Sequence, residues 1–197
     1  MKRSANKETL EELRKQVADC TRCPLHKERN NAVFGEGRWD APIMIIGEGP
    51  GAREDQLGRP FVGRAGKLLD QLLAPQGLSR TDNVFIANIV KCRPPHNRVP
   101  HKGEIATCFS YLTQQINMVD PRIIVLLGAT AVKAYYGELR QNMGKIRGQW
   151  SGQEGRLVMP TYHPAAVFRN RTYQRYIEAD LKTIADKYRR LNGRSGK

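Results

Sequence analysis

No stretch of this sequence comes near the ~18 consecutive apolar residues that a membrane-spanning helix needs. No segment pairs a basic face with a Trp- and Phe-bearing one, as a membrane-surface helix does. Met1 to Leu10 is polar and charged and lacks the apolar segment of a secretory signal. Linkers, repeats and low-complexity tracts are also missing, so one domain spanning residues 1–197 is expected. Acidic side chains are scarce: 19 Asp and Glu stand against 33 Lys and Arg, a formal net charge of +14 and a pI of about 10.0. The excess is spread along the chain with no basic tail to account for it. A domain this basic points to a polyanion partner, nucleic acid first, although a plain soluble basic protein would carry the same charge. A cytoplasmic, nucleoid-associated location is expected.

Cysteine is nearly as scarce, and its placement is informative. All four cysteines fall into one spacing, Cys20-x2-Cys23 and then Cys92-x15-Cys108. A close pair plus two distant singles suits one centre over which two segments close, which requires the fold to bring residue 20 beside residue 108. Four thiolates hold either an iron–sulfur cluster or a structural zinc, and the spacing does not choose between them. The second short pair of a zinc ribbon is missing. Four inert buried thiols or two disulfides are the competing readings. Disulfides are rare without secretion, and Cys20 and Cys23 flank Thr21-Arg22 before Pro24, polar company for a core residue.

Hydrophobic patterning predicts alternating strands and helices. Glu8 to Ala18 reads as a helix with Leu10, Leu13 and Val17 on one face. Buried strands are expected at Pro42–Ile46, Val84–Ala87, Arg122–Leu127 and Leu157–Pro160. Helices are expected at Ala65–Leu73, Gly103–Met118, Gly128–Tyr136 and Tyr173–Leu191, the last with Tyr173, Ile177, Ile184 and Tyr188 inward. Gly47 to Gly63 reads as a Gly-rich stretch and Lys91 to His101 as a Pro/Arg loop. The fold class is α/β with a mostly parallel sheet. In such sheets ligands bind beyond the carboxyl ends of the strands. Three such ends are Gly47-Glu48-Gly49-Pro50-Gly51, Asn88-Ile89-Val90-Lys91-Cys92 and Thr161-Tyr162-His163-Pro164.

The chemistry of those ends is limited. The first is no phosphate loop, because the following Lys-Ser/Thr is absent and Glu48 would repel phosphate. Glu48 suits orienting a water or stabilising a developing cation, and equally a helix-capping turn. Asn88 offers donors and an acceptor that complement a pyrimidine edge, though a strand-end Asn more often caps a turn. His163, on a stiff turn before Pro164, suits a hydrogen bond to a developing anion. Phe61 inside a Gly/Pro loop suits stacking on a base, or plugging the core.

Together these segments closely resemble the thermostable iron–sulfur uracil-DNA glycosylases, family 4 of their superfamily. The matching pieces, in family order, are Cys20-Thr21-Arg22-Cys23-Pro24-Leu25, Val33-Phe34-Gly35-Glu36-Gly37, the Gly47–Gly51 turn with Glu54-Asp55, and Gly58-Arg59-Pro60-Phe61-Val62-Gly63-Arg64-Ala65-Gly66. Asn88 follows, then Lys91 to Pro100 and His163-Pro164-Ala165. The resemblance implies a three-layer α/β/α fold with a four-stranded, mostly parallel sheet. It implies a 4Fe–4S cluster on Cys20, Cys23, Cys92 and Cys108, residues 1–30 carrying its first half. The implied activity is a monofunctional, monomeric hydrolase that flips deoxyuridine out of single- or double-stranded DNA, releases uracil and leaves an abasic site. Phe61 would then stack on uracil beside Gly47, Asn88 would read its polar edge, and His163 would hydrogen-bond O2. Glu48 would position water, and Glu54 would lie near C5 and exclude thymine. Arg93, Arg98, Ala165 and Arg169 would meet DNA, and Val167 or Phe168 would wedge into the gap left by the base. Gly49 stands where the family usually has Ala, Ala165 where Ser is also common, and Phe168 where Leu is frequent.

The alternative is a relative that binds uracil-DNA tightly or covalently without turnover. Those relatives carry His-Lys-Thr-Pro where this chain has Asn97-Arg98-Val99-Pro100, and Asn97 cannot serve as their nucleophilic His.

Overall fold

The structure, a computed structural model, describes residues 2–139 and 141–193, with side chains from residue 9 onward. Helix α1 (Lys2–Ala18) opens the chain and a two-residue strand β1 (Glu36–Gly37) follows. Next come β2 (Ile43–Gly47), α2 (Ala52–Leu57), α3 (Arg64–Leu73), β3 (Val84–Asn88) and α4 (Lys102–Val119). The second half holds β4 (Ile123–Leu127), α5 (Gly128–Tyr136), α6 (Met143–Ile146), β5 (Ser151–Gln153), β6 (Arg156–Thr161) and α7 (Thr172–Gly193).

The sheet order is β1-β3-β2-β4-β6-β5. Its centre, β3-β2-β4-β6, is parallel throughout, as the four apolar runs predict. The expected count of four strands is corrected to six, because β1 and β5 add antiparallel edges to β3 and β6. Glu-Gly and Ser-Gly-Gln carry no apolar alternation, so backbone pairing alone makes them strands. The Gly-rich stretch is corrected likewise: it contains α2, a single helical turn and a half with Asp55 buried on its inner face.

Both faces of the sheet are covered. Met44 and Ile46 point into a layer with Leu10, Leu13 and Val17 of α1 and Leu112 and Ile116 of α4. Ile43 and Ile45 point the other way, against Leu69 and Leu73 of α3 and Ile177, Leu181 and Ile184 of α7. That period-two split is why β2 reads as an unbroken apolar run. Each fully buried Ile or Leu contributes about 1.5–3 kcal/mol. Tyr173 and Tyr188 pack at the margin of the second layer, as their spacing predicts. Among the described residues no helix is long and apolar enough to cross a membrane.

The chain leaves β2 for β3 on one side and returns as β4 on the other. A doubly wound sheet opens a crevice at such a reversal, here beside the carboxyl end of β2.

Candidate active site

Gly47 ends β2 and Asn88 ends β3, and the two are register partners. A methyl group on Gly47 would lie 2.5 Å from Phe61 Cζ and 2.6 Å from Asn88 Oδ1. Only glycine lets the aromatic ring and the amide close over the strand tip together. Phe61 itself is held in the left-handed region, with φ 52, where a bulky residue is an outlier needing external support. The support is visible. Arg80 donates to Pro60 O at 2.9 Å and to Phe61 O at 3.0 Å. Glu54 Oε1 accepts from the backbone N–H groups of Val62 at 2.8 Å and Gly63 at 2.7 Å.

Glu48, Asn88 and His163 face one cleft of about 260 Å³, with Phe61 and Glu54 also in its wall. The three strand ends singled out in the sequence therefore converge. A larger hollow of about 410 Å³ lies around Val132, Tyr136 and Trp150; its wall has Glu138 but neither Asn nor His, so chemistry and not size selects the smaller cleft.

Asn88 is buried to 1% exposure, and its Oδ1 has no hydrogen-bond partner. An orphaned buried acceptor costs about 1–3 kcal/mol, and a ligand N–H entering the cleft would satisfy it. The backbone of Asn88 is anchored: its carbonyl accepts from Lys91 Nζ at 2.8 Å. Burial pushes the Lys91 ammonium down to about 8, against the opposing charge of Cys108 and Cys92.

His163 Nδ1 accepts from Ala165 N–H at 3.1 Å. Burial, then the charge of Arg169, pushes the imidazole down to about 4, with Glu54 opposing. The ring is therefore neutral near pH 7. With Nδ1 as acceptor, its proton sits on Nε2, a donor available to a ligand. The Phe61 and His163 ring centroids lie 5.6 Å apart at 32°. Glu48 borders the cleft, and its carboxylate has no partner among the described residues.

The residues expected at DNA divide. Phe168 is 46% exposed, and the Arg64 guanidinium lies 4.3 Å over its ring. Val167 is buried in the layer of α3 and α7. Arg169 is exposed. Arg93 donates to Asn97 at 2.7 Å. Arg98 grips Glu104 with two bonds at 2.7 and 2.9 Å, which commits its guanidinium to the start of α4. Ala165 borders the cleft, its N–H already taken by His163. Arg64, Arg80 and Lys91 were given no role of their own from the sequence; nothing in their local pattern marks partners 19 residues or more away.

All four cysteines are free, and they line one cavity together with Lys91, His26 and Tyr111. Arg29 donates to Cys92 Sγ at 3.0 Å, and Lys91 N–H to Cys108 Sγ at 3.3 Å. Burial pushes the Cys92 thiol up to about 11 and also raises Cys108. These are not activated nucleophiles. Among the described residues no group of three or more His, Cys, Asp or Glu closes up as a site for a single metal ion.

A doubly wound sheet places an amide, an imidazole and a phenyl ring around a cleft at its carboxyl edge, groups that offer an entering ligand an acceptor, a donor and a stacking face. Residues 34–184 match the family model described as "Uracil DNA glycosylase superfamily". The chain is 48% identical to a Type-4 uracil-DNA glycosylase of Thermotoga maritima over 168 residues, 84% of this chain and 86% of that protein. It is 44% identical over 187 residues to the Type-4 protein of Sulfurisphaera tokodaii, covering 91% and 84%. It is 44% identical over 181 residues to that of Pyrobaculum aerophilum, covering 87% and 91%. The chain belongs to the uracil DNA glycosylase superfamily, in its type-4 branch.

Proposed function

We infer that this protein is a DNA-repair hydrolase that removes uracil from DNA by cutting its N-glycosidic bond. The observation that carries the reading is the orphaned Oδ1 of Asn88, buried in the cleft that His163 and Phe61 also border. Uracil offers that oxygen its N3–H. Cytosine offers a bare N3 lone pair, which leaves two buried acceptors facing each other, a far larger penalty than a lost methylene.

The base must leave the duplex first, at a cost of a few kcal/mol. Stacking on Phe61 offsets part of that cost. Phe168 enters the vacated space, and Arg93 and Arg169 meet the flanking phosphates, with the backbone at Ala165 close to the strand. As the C1′–N1 bond breaks, charge builds on uracil O2. The neutral His163 donates Nε2–H there, a donor aimed where charge develops. Glu48 orients the water whose oxygen bonds to C1′; the water's proton ends on uracil N1. Glu54 walls the cleft against C5, where thymine carries its methyl group.

Cys20, Cys23, Cys92 and Cys108 would hold a 4Fe–4S cluster. Its contribution is a covalent tie between the front of the chain and the segment after β3, since hydrolysis moves no electron. Four free thiols lining one cavity are a donor set that fits such a cluster; a structural zinc would take the same four thiolates, and the type-4 resemblance favours the cluster. The protein is read as a monomer working on DNA in the cytoplasmic compartment.

The test is to incubate the protein with U·G, U·A, T·G and single-stranded U oligonucleotides and cleave abasic sites with alkali. Uracil released over many turnovers, with T·G untouched, is expected. A single-turnover adduct that survives detergent would replace this reading with the covalent-binding one. Binding should also weaken steeply with salt, because phosphate contacts release counterions.

A further inference from the structure

Lys91 is among the largest fully buried side chains of the protein, 1% exposed, and the hydrolysis assigns it no part. A buried ammonium normally faces a carboxylate. This one has no ion pair with an acidic side chain among the described residues. Its Nζ donates to Asn88 O at 2.8 Å and to Gln115 Oε1 at 2.6 Å. Gln115, wholly buried on α4, passes the tie on by donating to Phe34 O at 2.8 Å. The other side of Lys91 borders the cavity of the four cysteines, and its own N–H donates to Cys108 Sγ. One residue thus touches both the cysteine centre, through its backbone N–H, and the backbone of the residue that reads the base, through its ammonium.

We propose that Lys91 is a positioning residue that couples the cysteine centre to Asn88. The negative charge of a thiolate-held cluster is what makes a buried cation tolerable at this point. That cation then holds the Asn88 carbonyl, so the orphaned Oδ1 is presented at a set height in the cleft. Two neighbouring backbone bonds complete the mount: Ile89 N–H to Gly47 O at 2.9 Å and Val90 N–H to Glu48 O at 3.1 Å. Emptying the cysteine site removes the counter-charge of Lys91 and loosens Asn88, although no cysteine touches the base. A cluster without redox work in the reaction thereby acts on base recognition. The inference rests on the uracil reading above.

The experiment compares Lys91→Met, Asn88→Ala and the double variant. Iron content, the reduction potential of the bound cluster and hydrogen exchange at Ile89 and Val90 are measured beside uracil release. Lys91→Met keeps the apolar stem and removes the charge. It should shift the potential to more negative values, because a cation beside the cluster favours the added electron. It should also raise exchange at Ile89 and Val90, and lower uracil release roughly 10-fold or more, as expected for a lost charge-assisted bond. In the Asn88→Ala background the same substitution should change release little, because neighbours acting as a unit are not additive. Equal losses from Lys91→Met in both backgrounds, or an unchanged potential, would overturn the proposal. If Lys91→Met does not fold, Gln115→Leu decides, since it keeps the charge and removes one anchor. Raised exchange at Ile89 and Val90 with an unchanged potential supports the coupling, and unchanged exchange refutes it. A parent protein that releases no uracil would instead sink the functional reading, leaving the exchange and potential measurements to judge Lys91.

Discussion

Gly47 and Asn88 sit side by side at the tips of two parallel strands, and the space between Asn88 Oδ1 and the Phe61 ring has no room for a methyl group. The Gly47→Ala variant should still fold, because the clash falls on two side chains at the strand tip, the Asn88 amide and the Phe61 ring of the second apolar layer. Displacing the ring or the amide by an ångström should lower uracil release by about 100-fold. Circular dichroism and single-turnover kinetics on one sample check this; an unimpaired variant would mean that the two side chains are not held against Gly47.

The titration of His163 has a definite sign. Its ordinary value of 6.5 is pushed down to about 4 by burial and Arg169. The folded protein keeps the ring neutral while an unfolded chain would protonate it. The rate contribution of His163 should thus stay flat from pH 8 to pH 5 and fall only as pH nears 4. Stability drawn from the neutral ring declines over the same descent, starting near 6.5. Imidazole NMR shifts of His163, followed against pH, test it directly; a midpoint near 6.5 would contradict the burial argument.

Two neighbours in sequence should behave oppositely. Val167 is 7% exposed and Phe168 46% exposed. Val167→Ala removes buried methyl groups and should destabilise the fold by roughly 2 kcal/mol, read in a denaturant titration. Phe168→Ala should leave stability within about 0.5 kcal/mol and slow excision from duplex more than from single strands, because only a duplex needs the gap filled.

Glu54 carries two backbone N–H groups of the Phe61 turn on one oxygen. Glu54→Ala should let the left-handed residue relax and lower uracil release by about 100-fold. Glu54→Gln retains an acceptor oxygen and should recover much of that loss. If the two variants are equally impaired, the charge of Glu54 acts on the base itself and not on the turn.

The strands that build the platform were legible because Ile43–Ile46 and Ile123–Leu127 are buried on both faces, which leaves an unbroken apolar record. The strand ends were legible because Glu48, Asn88 and His163 are polar groups placed where such a record stops. Helix α2 was hidden by glycines at Gly49, Gly51 and Gly58, and β1 and β5 by the absence of any side-chain period. The contacts of Arg80 and Lys91 were invisible for a different reason: their partners, Phe61 O and Gln115, lie 19 and 24 residues away.

By itself, then, the sequence determined the α/β class, the four central strands, the three polar strand tips and the cysteine set, because each of these is written in residue type and local spacing. Tertiary structure alone decided that Phe168 and not Val167 faces outward, that Arg98 is bound to Glu104, that the Nδ1 of His163 is occupied, and that a buried lysine joins the cysteines to Asn88. Those four depend on which atoms meet across the fold. Burial and hydrogen bonding are properties of the assembled layers, and no stretch of chain carries them before the layers close.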